Sequence, residues 1–159
     1  MSTRLNYAKL SPAFVKSYRD FSFGLLEGST DPTLRDLVLT RVSQLNGCAF
    51  CVDLHVKEAK IHGERELRLY HLPIWRESPL FSAKERAGLA WAEALTRLGE
   101  NGISDALYEA TLAEFSEKEL VDLTYFIIAI NGWNRLGVAF RTAPGSLDAA
   151  NGLEKAGLN

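Results

Sequence analysis

Cys48 and Cys51 are the only cysteines in the chain, and one of its three histidines, His55, follows within the stretch "GCAFCVDLH". A thiol with a base one helical turn away is an arrangement for nucleophilic sulfur chemistry, because the thiolate is the reactive form. A second thiol three residues away can trap a sulfenic acid as a disulfide. On a helical wheel for residues 48–62, Cys48, Cys51, His55, Ala59 and His62 fall within a sector of roughly 80°. Asp53, Lys57 and Lys60 lie opposite. Asn46-Gly47 breaks the chain just before the pair, so the cysteines open a helix. Helix-terminus electrostatics favour a thiolate on Cys48, and the imidazole favours Cys51. The residues alone leave the order of attack open.

Other chemistries compete for the same residues. Cys48, Cys51, His55 and His62 offer a zinc ligand set, but one helix wraps a tetrahedron poorly. At about 1.5 Å of rise per residue, His62 lies roughly 10 Å along the axis from His55. A c-type haem needs His directly after the second cysteine, where this chain has Val52. Two small buried thiols without reactivity are the bland alternative. As a helix C-terminal residue, His62 complements the dipole. Upstream, Asp36, Thr40 and Ser43 recur at i, i+4 and i+7. If helices 32–46 and 48–62 fold back on each other, Asp36 is expected to face His55, directly or through water.

Positioning these groups requires helices throughout. Ser11-Pro12 and Asp31-Pro32 place capping side chains before first-turn prolines. "SAKE" from Ser82 and "SEKE" from Ser116 are capping boxes, and Ser104 is a further N-cap. The spacing predicts an all-α, single-domain bundle of about seven helices, near 12–27, 32–46, 48–62, 64–72, 82–98, 104–115 and 117–141. Phe14, Tyr18, Phe21 and Leu25 make an apolar stripe expected in the core. The last long helix, containing "LVDLTYFIIAINGW", is apolar almost all round, as for a central or interface helix. Trp133, Asn131 and Asn134 are expected to pack. From about residue 143 the Gly-, Ala- and Asn-rich tail is expected to be loosely held.

Bulk properties narrow the partners. A net charge of −2 with no basic run predicts neither nucleic-acid nor membrane-surface binding. The longest strongly apolar run, Tyr125 to Ile130, is too short to span a bilayer. No secretory leader is recognisable, so a cytoplasmic location is expected, where C-x-x-C is redox-active or metal-binding rather than a static staple.

"LRDLVLTRVSQLNGCAFCVDLHVKEAKIHG", Leu34 to Gly63, resembles the core motif of the alkylhydroperoxidase D-like family of the carboxymuconolactone decarboxylase superfamily. That motif places a carboxylate twelve residues before C-x-x-C and His four after the second Cys. "NGWNR", Asn131 to Arg135, extends the likeness. The resemblance implies a thiol-dependent hydroperoxide reductase with Cys51 peroxidatic, Cys48 resolving, and His55 and Asp36 in a proton relay. It implies no bound cofactor beyond a redox-active Cys48–Cys51 disulfide. It also implies a thiol or lipoylated-protein reductant and a homo-oligomer, trimeric or hexameric. Asp36 stands where the family normally has Glu, and Phe50 where the best-studied members have a relay His. Alternatives on this scaffold are a general thiol–disulfide oxidoreductase or redox sensor, a carboxymuconolactone decarboxylase-like lyase, and an oligomeric protein with inert cysteines.

Overall fold

The computed structural model describes residues 3–158. In chain order its α-helices are α1 (Tyr7–Leu10), α2 (Pro12–Gly24), α3 (Pro32–Leu45), α4 (Ala49–Ile61), α5 (Glu66–His71), α6 (Ala83–Thr96), α7 (Asp105–Leu112), α8 (Glu117–Phe140) and α9 (Asp148–Asn151). Short 3-10 turns cover Leu25–Glu27, Leu72–Ile74 and Leu153–Ala156. Among the described residues there is no β-strand, only an isolated bridge between Gly99 and Gly102. No described helix is long and apolar enough to cross a membrane.

The all-helical reading holds, and the helix starts explain why. Ser82 and Ser116 each close a capping box with Glu85 and Glu119, and Asp31 and Ser104 accept from the amides of Leu34 and Leu107. Ser11 differs: its side chain makes no capping bond, and α2 starts on the fixed φ of Pro12. The four-residue α1 and α9 fall below the length at which apolar periodicity is visible.

α3 is the hub, packed against α4, α6 and α8. Its buried Leu34, Leu37, Val38 and Val42 meet Leu89 and Ala92 of α6 and Leu123, Ile127 and Ile130 of α8 in one core. Fully burying each such aliphatic side chain contributes about 1.5–3 kcal/mol, so the α3–α6–α8 layer is the stable frame.

One expectation about packing is corrected. The α2 stripe is not core: Phe14 is 79% exposed and α2 buries no residue. α2 lies on the surface and grips α8 through Tyr18, whose hydroxyl donates to Ala129 O at 2.8 Å, and Ser22, whose Oγ accepts from Trp133 Nε1 at 2.9 Å. Its aromatic side is left facing outward. The tail beyond residue 143 makes specific contacts with α4. The turn Leu153–Ala156 lies along α4, with Leu153 buried, and α9 packs on that turn. Lys57 Nζ reaches Asp148 at 2.6 Å and Asp53 at 2.9 Å, and Asp53 accepts from the amide of Gly145 at 2.8 Å. The Lys57–Asp148 ion pair and the Gly145–Asp53 hydrogen bond join residues 91 and 92 positions apart, so local composition gives no hint of them.

Candidate redox-active site

The α3–α4 turn is built by Gly47, whose φ of +65° lies in the left-handed region that glycine adopts freely. Asn46 anchors the turn to α8. Its Nδ2 donates to the Oδ1 of Asn131 at 3.0 Å and of Asn134 at 2.9 Å. Asn134, fully buried, donates onward to Ser43 Oγ at 3.1 Å, and Asn131 to Thr96 Oγ1 at 3.1 Å. The links join buried or half-buried polar groups that would otherwise lack partners, so the network fixes one register of α3 against α8.

That register sets the sulfurs. Cys48 is the N-cap residue of α4, and its Sγ accepts the Cys51 amide N–H at 3.3 Å. Cys48 and Cys51 are joined in a disulfide, with Cα atoms 5.3 Å apart. Both residues are buried, 1% and 2% exposed. One turn of α8 beyond Asn134 lies Gly137. A Cβ there would stand 2.8 Å from Cys48 Sγ and 3.4 Å from Cys51 Sγ, so the missing side chain is what lets α8 cover the disulfide.

His55 follows Cys51 by one turn of α4, with its side chain 12% exposed. Its Nδ1 lies 2.8 Å from Glu58 Oε2. Burial by itself would push the Glu58 carboxyl up. The hydrogen bond with His55 and the charges of His55, His62 and Arg35 outweigh it and hold that carboxyl below its ordinary value.

Asp36 is not placed against His55. Its Oδ2 lies 2.5 Å from His62 Nδ1, and its Oδ1 accepts from Arg35 at 3.2 Å. The carboxylate next to His55 is Glu58, from its own helix. An Asp side chain on α3 meets α4 at the level of His62, two turns beyond His55. Glu58 was missed, although its i+3 spacing from His55 on one helix face was the available signal. His62 caps the C-terminus of α4 as expected, and pairs with Asp36 in addition. Thr40 and Ser43, the remainder of the polar line on α3, are fully buried and donate back to Asp36 O and Leu39 O. Among the described residues, no three of His, Cys, Asp and Glu converge to hold a metal ion.

The sequence profile of the carboxymuconolactone decarboxylase family matches residues 12–94, just over half of the 159-residue chain. The chain belongs to that family, as an alkylhydroperoxidase D-like member. The uncharacterised protein YdfG of Bacillus subtilis is 37% identical over 139 residues, 87% of this chain and 95% of YdfG. The crystal structure of a protein of unknown function from Agrobacterium tumefaciens, provisionally described as an AhpD antioxidant defence protein, is 40% identical. It superposes with a TM-score of 0.87 over 90% of this chain and 98% of its own. The debrominase Bmp8, 16% identical with a TM-score of 0.76 over 93% of this chain and 79% of its own, shares the fold alone. The family is one of enzymes, and the scaffold by itself does not choose the chemistry.

Proposed function

We propose that this protein is a dithiol peroxidase that reduces hydroperoxides through Cys51, Cys48 and His55. The observation that carries the reading is the Cys48–Cys51 disulfide at the start of α4, with the His55–Glu58 pair one turn along the same helix. The 40% identity with the Agrobacterium tumefaciens protein, put forward as an AhpD antioxidant defence protein, supports it.

In this reading His55 takes the Cys51 thiol proton, and the thiolate attacks the terminal peroxide oxygen. The O–O bond breaks, Cys51 becomes a sulfenic acid, and the leaving alkoxide recovers the proton from His55 as an alcohol. Cys48 then loses its proton and attacks the Cys51 sulfur. The S–O bond breaks, hydroxide leaves with that proton as water, and the disulfide forms. The Cys51 amide, aimed at Cys48 Sγ, stabilises the resolving thiolate. An external thiol or lipoyl-type dithiol supplies two electrons and two protons to restore both thiols. No bound cofactor is needed.

The acting form is proposed to be a homo-oligomer, trimeric or hexameric, in the cytoplasm. Phe14, Phe23, Tyr125 and Ile128 are 79%, 61%, 47% and 51% exposed on the single chain. Phe21 of α2 and Tyr125 of α8 meet at 6.2 Å between ring centroids, so these two helices share one apolar side. A neighbouring copy of the chain covers such a side.

The test mixes prereduced protein with hydrogen peroxide or cumene hydroperoxide and follows Cys48–Cys51 closure by mass spectrometry. Wild type is expected to react at least about 100-fold faster than His55→Ala. A wild-type rate no greater than that of a free thiol would remove the peroxidase reading. Rapid exchange with dithiols alone would then favour a thiol–disulfide oxidoreductase.

A further inference from the structure

Two facts sit awkwardly together. Cys48 and Cys51 are 1% and 2% exposed, yet opening their bond requires two protons as well as two electrons. The nearest imidazole, His55, is itself only 12% exposed. The face of α4 that starts at the sulfurs continues past His55 to Glu58, three residues on, and to His62, four further. The side chain of His62 is 48% exposed, while the Asp36 carboxylate that holds it is 6% exposed. Both line a cleft of about 470 Å³. From buried sulfur to open cleft, one helix face carries imidazole, carboxylate and imidazole in turn, each a turn from the next.

We propose that His62, held by Asp36, is the outer station of a proton path that runs through Glu58 and His55 to the Cys48–Cys51 pair. The proposal rests on the redox reading of the pair, but not on its preference for peroxide. When an external dithiol reduces the protein, its two S–H bonds are lost and its own S–S bond forms. The Cys48–Cys51 bond breaks and two S–H bonds form there. His55 gives its proton to the departing thiolate, and solvent replaces that proton by way of His62 and Glu58. His62 touches neither sulfur; it acts through the two groups inward of it.

Charged groups of both signs surround His62. Arg35 and Asp36 face it from α3, and Glu58 shares its helix. Across the cleft stand Glu64, Arg65, Arg68 and Glu85, charges of both signs. Arg68 is committed to Glu64 at 2.9 Å and Glu85 at 2.5 Å, which leaves Asp36 to His62 and Arg35. An Asp–His pair at the mouth of a cleft fixes the ring so that one nitrogen meets the carboxylate and the ring as a whole stays reachable from solvent.

The experiment measures the rate at which dithiothreitol reduces the oxidised protein, by trapping free thiols and weighing the product, with and without added imidazole. His62→Ala is expected to reduce about tenfold more slowly at neutral pH, and imidazole, entering the open cleft, to restore most of the rate. His55→Ala is expected to lose about 100-fold and to gain little from imidazole, because its position is enclosed. His62→Gln keeps a hydrogen-bond donor for Asp36 but carries no transferable proton, so it is expected to be as slow as His62→Ala. A wild-type rate in either His62 variant overturns the path. So does a slow His62→Ala that imidazole leaves unchanged, because that marks a structural role. The readout is dithiol reduction, so a protein inert to hydroperoxide would sink the proposed peroxidase activity and leave this measurement intact.

Discussion

Gly137→Ala is the sharpest test of how α8 sits over the disulfide. The new Cβ would lie 2.8 Å from Cys48 Sγ and 3.4 Å from Cys51 Sγ. Comfortable carbon–sulfur contact is nearer about 3.7 Å, so one sulfur must retreat by most of an ångström. In the oxidised protein it cannot swing away, because it is bonded to its neighbour and both are held at the start of α4. Nor can α8 easily lift, because Asn134, one turn back, is locked to Asn46 and Ser43. Overpacking of this kind costs about 1–3 kcal/mol. In the reduced protein Cys48 is free to change rotamer, and much of the strain is released. The oxidised form is therefore penalised more, and the disulfide becomes easier to reduce. At roughly 30 mV per 1.4 kcal/mol for a two-electron couple, the potential is expected to rise by about 20–60 mV. Equilibration in dithiothreitol buffers, with thiols alkylated and weighed, reads that shift. Thermal unfolding of the oxidised variant is expected to fall by about 2–10 °C, and of the reduced variant by less. An unchanged potential together with unchanged melting in both states would refute the close approach of α8.

Lys57→Met removes the cation shared by Asp53 and Asp148, and is expected to cost about 1–3 kcal/mol and to expose residues 143–158 to faster hydrogen exchange and proteolysis. The hydrogen bonds that Lys57 donates to Asp148 and Asp53 raise its pKa, so this stabilisation is present below the ordinary lysine value and is lost as pH rises through the folded one, which urea unfolding at alkaline pH detects. Glu58→Gln is expected to flatten the acid limb of the stability curve: a carboxyl held below its ordinary value stabilises the fold above that value and loses the contribution as pH falls through the folded one. Asn134→Ala leaves the amide of Asn46 and the hydroxyl of Ser43 short of a buried partner, and is expected to cost about 1–3 kcal/mol by denaturant unfolding.

Local signals carried most of the fold. Asp31-Pro32, the two Ser-x-x-Glu boxes and Ser104 mark helix starts because capping is decided within one turn of the chain. The α2 stripe misled because an apolar helix face says that something covers it, not which surface does. Phe14 and Phe21 carry the same periodicity whether the cover is the core or a second copy. The site divides in the same way. Cys48, Cys51 and His55 were legible because they share one helix. The partner of Asp36 was not, because how far α3 slides along α4 is fixed by Asn46, Asn131 and Asn134 acting across some ninety residues of sequence. "NGWNR" shows that residues of one helix are polar in an apolar run; it does not show what they bond.

The family's relay carboxylate is normally Glu, and this chain has Asp36. In the proposed relay the shorter side chain need not weaken the site, because two acids contact two different imidazoles. Asp36 spends its oxygens on His62 and Arg35. Glu58 supplies a carboxylate to His55 from three residues away on the same helix. A pair within one helix keeps its geometry whatever α3 does, whereas a pair between helices follows every shift of their packing. Orientation of His55 by Glu58 is thereby independent of the α3–α4 contact, and in the proposed path Asp36 serves the solvent end. If the division is real, the two acids should fail differently. Asp36→Asn should act through His62 and leave the His55 ring in place, with its imidazole resonances in proton–nitrogen correlation spectra little changed. Glu58→Gln should move those resonances directly. Equal effects of both substitutions on the His55 ring would mean that the two acids work as one unit, and that the Glu-to-Asp change at position 36 has not been compensated.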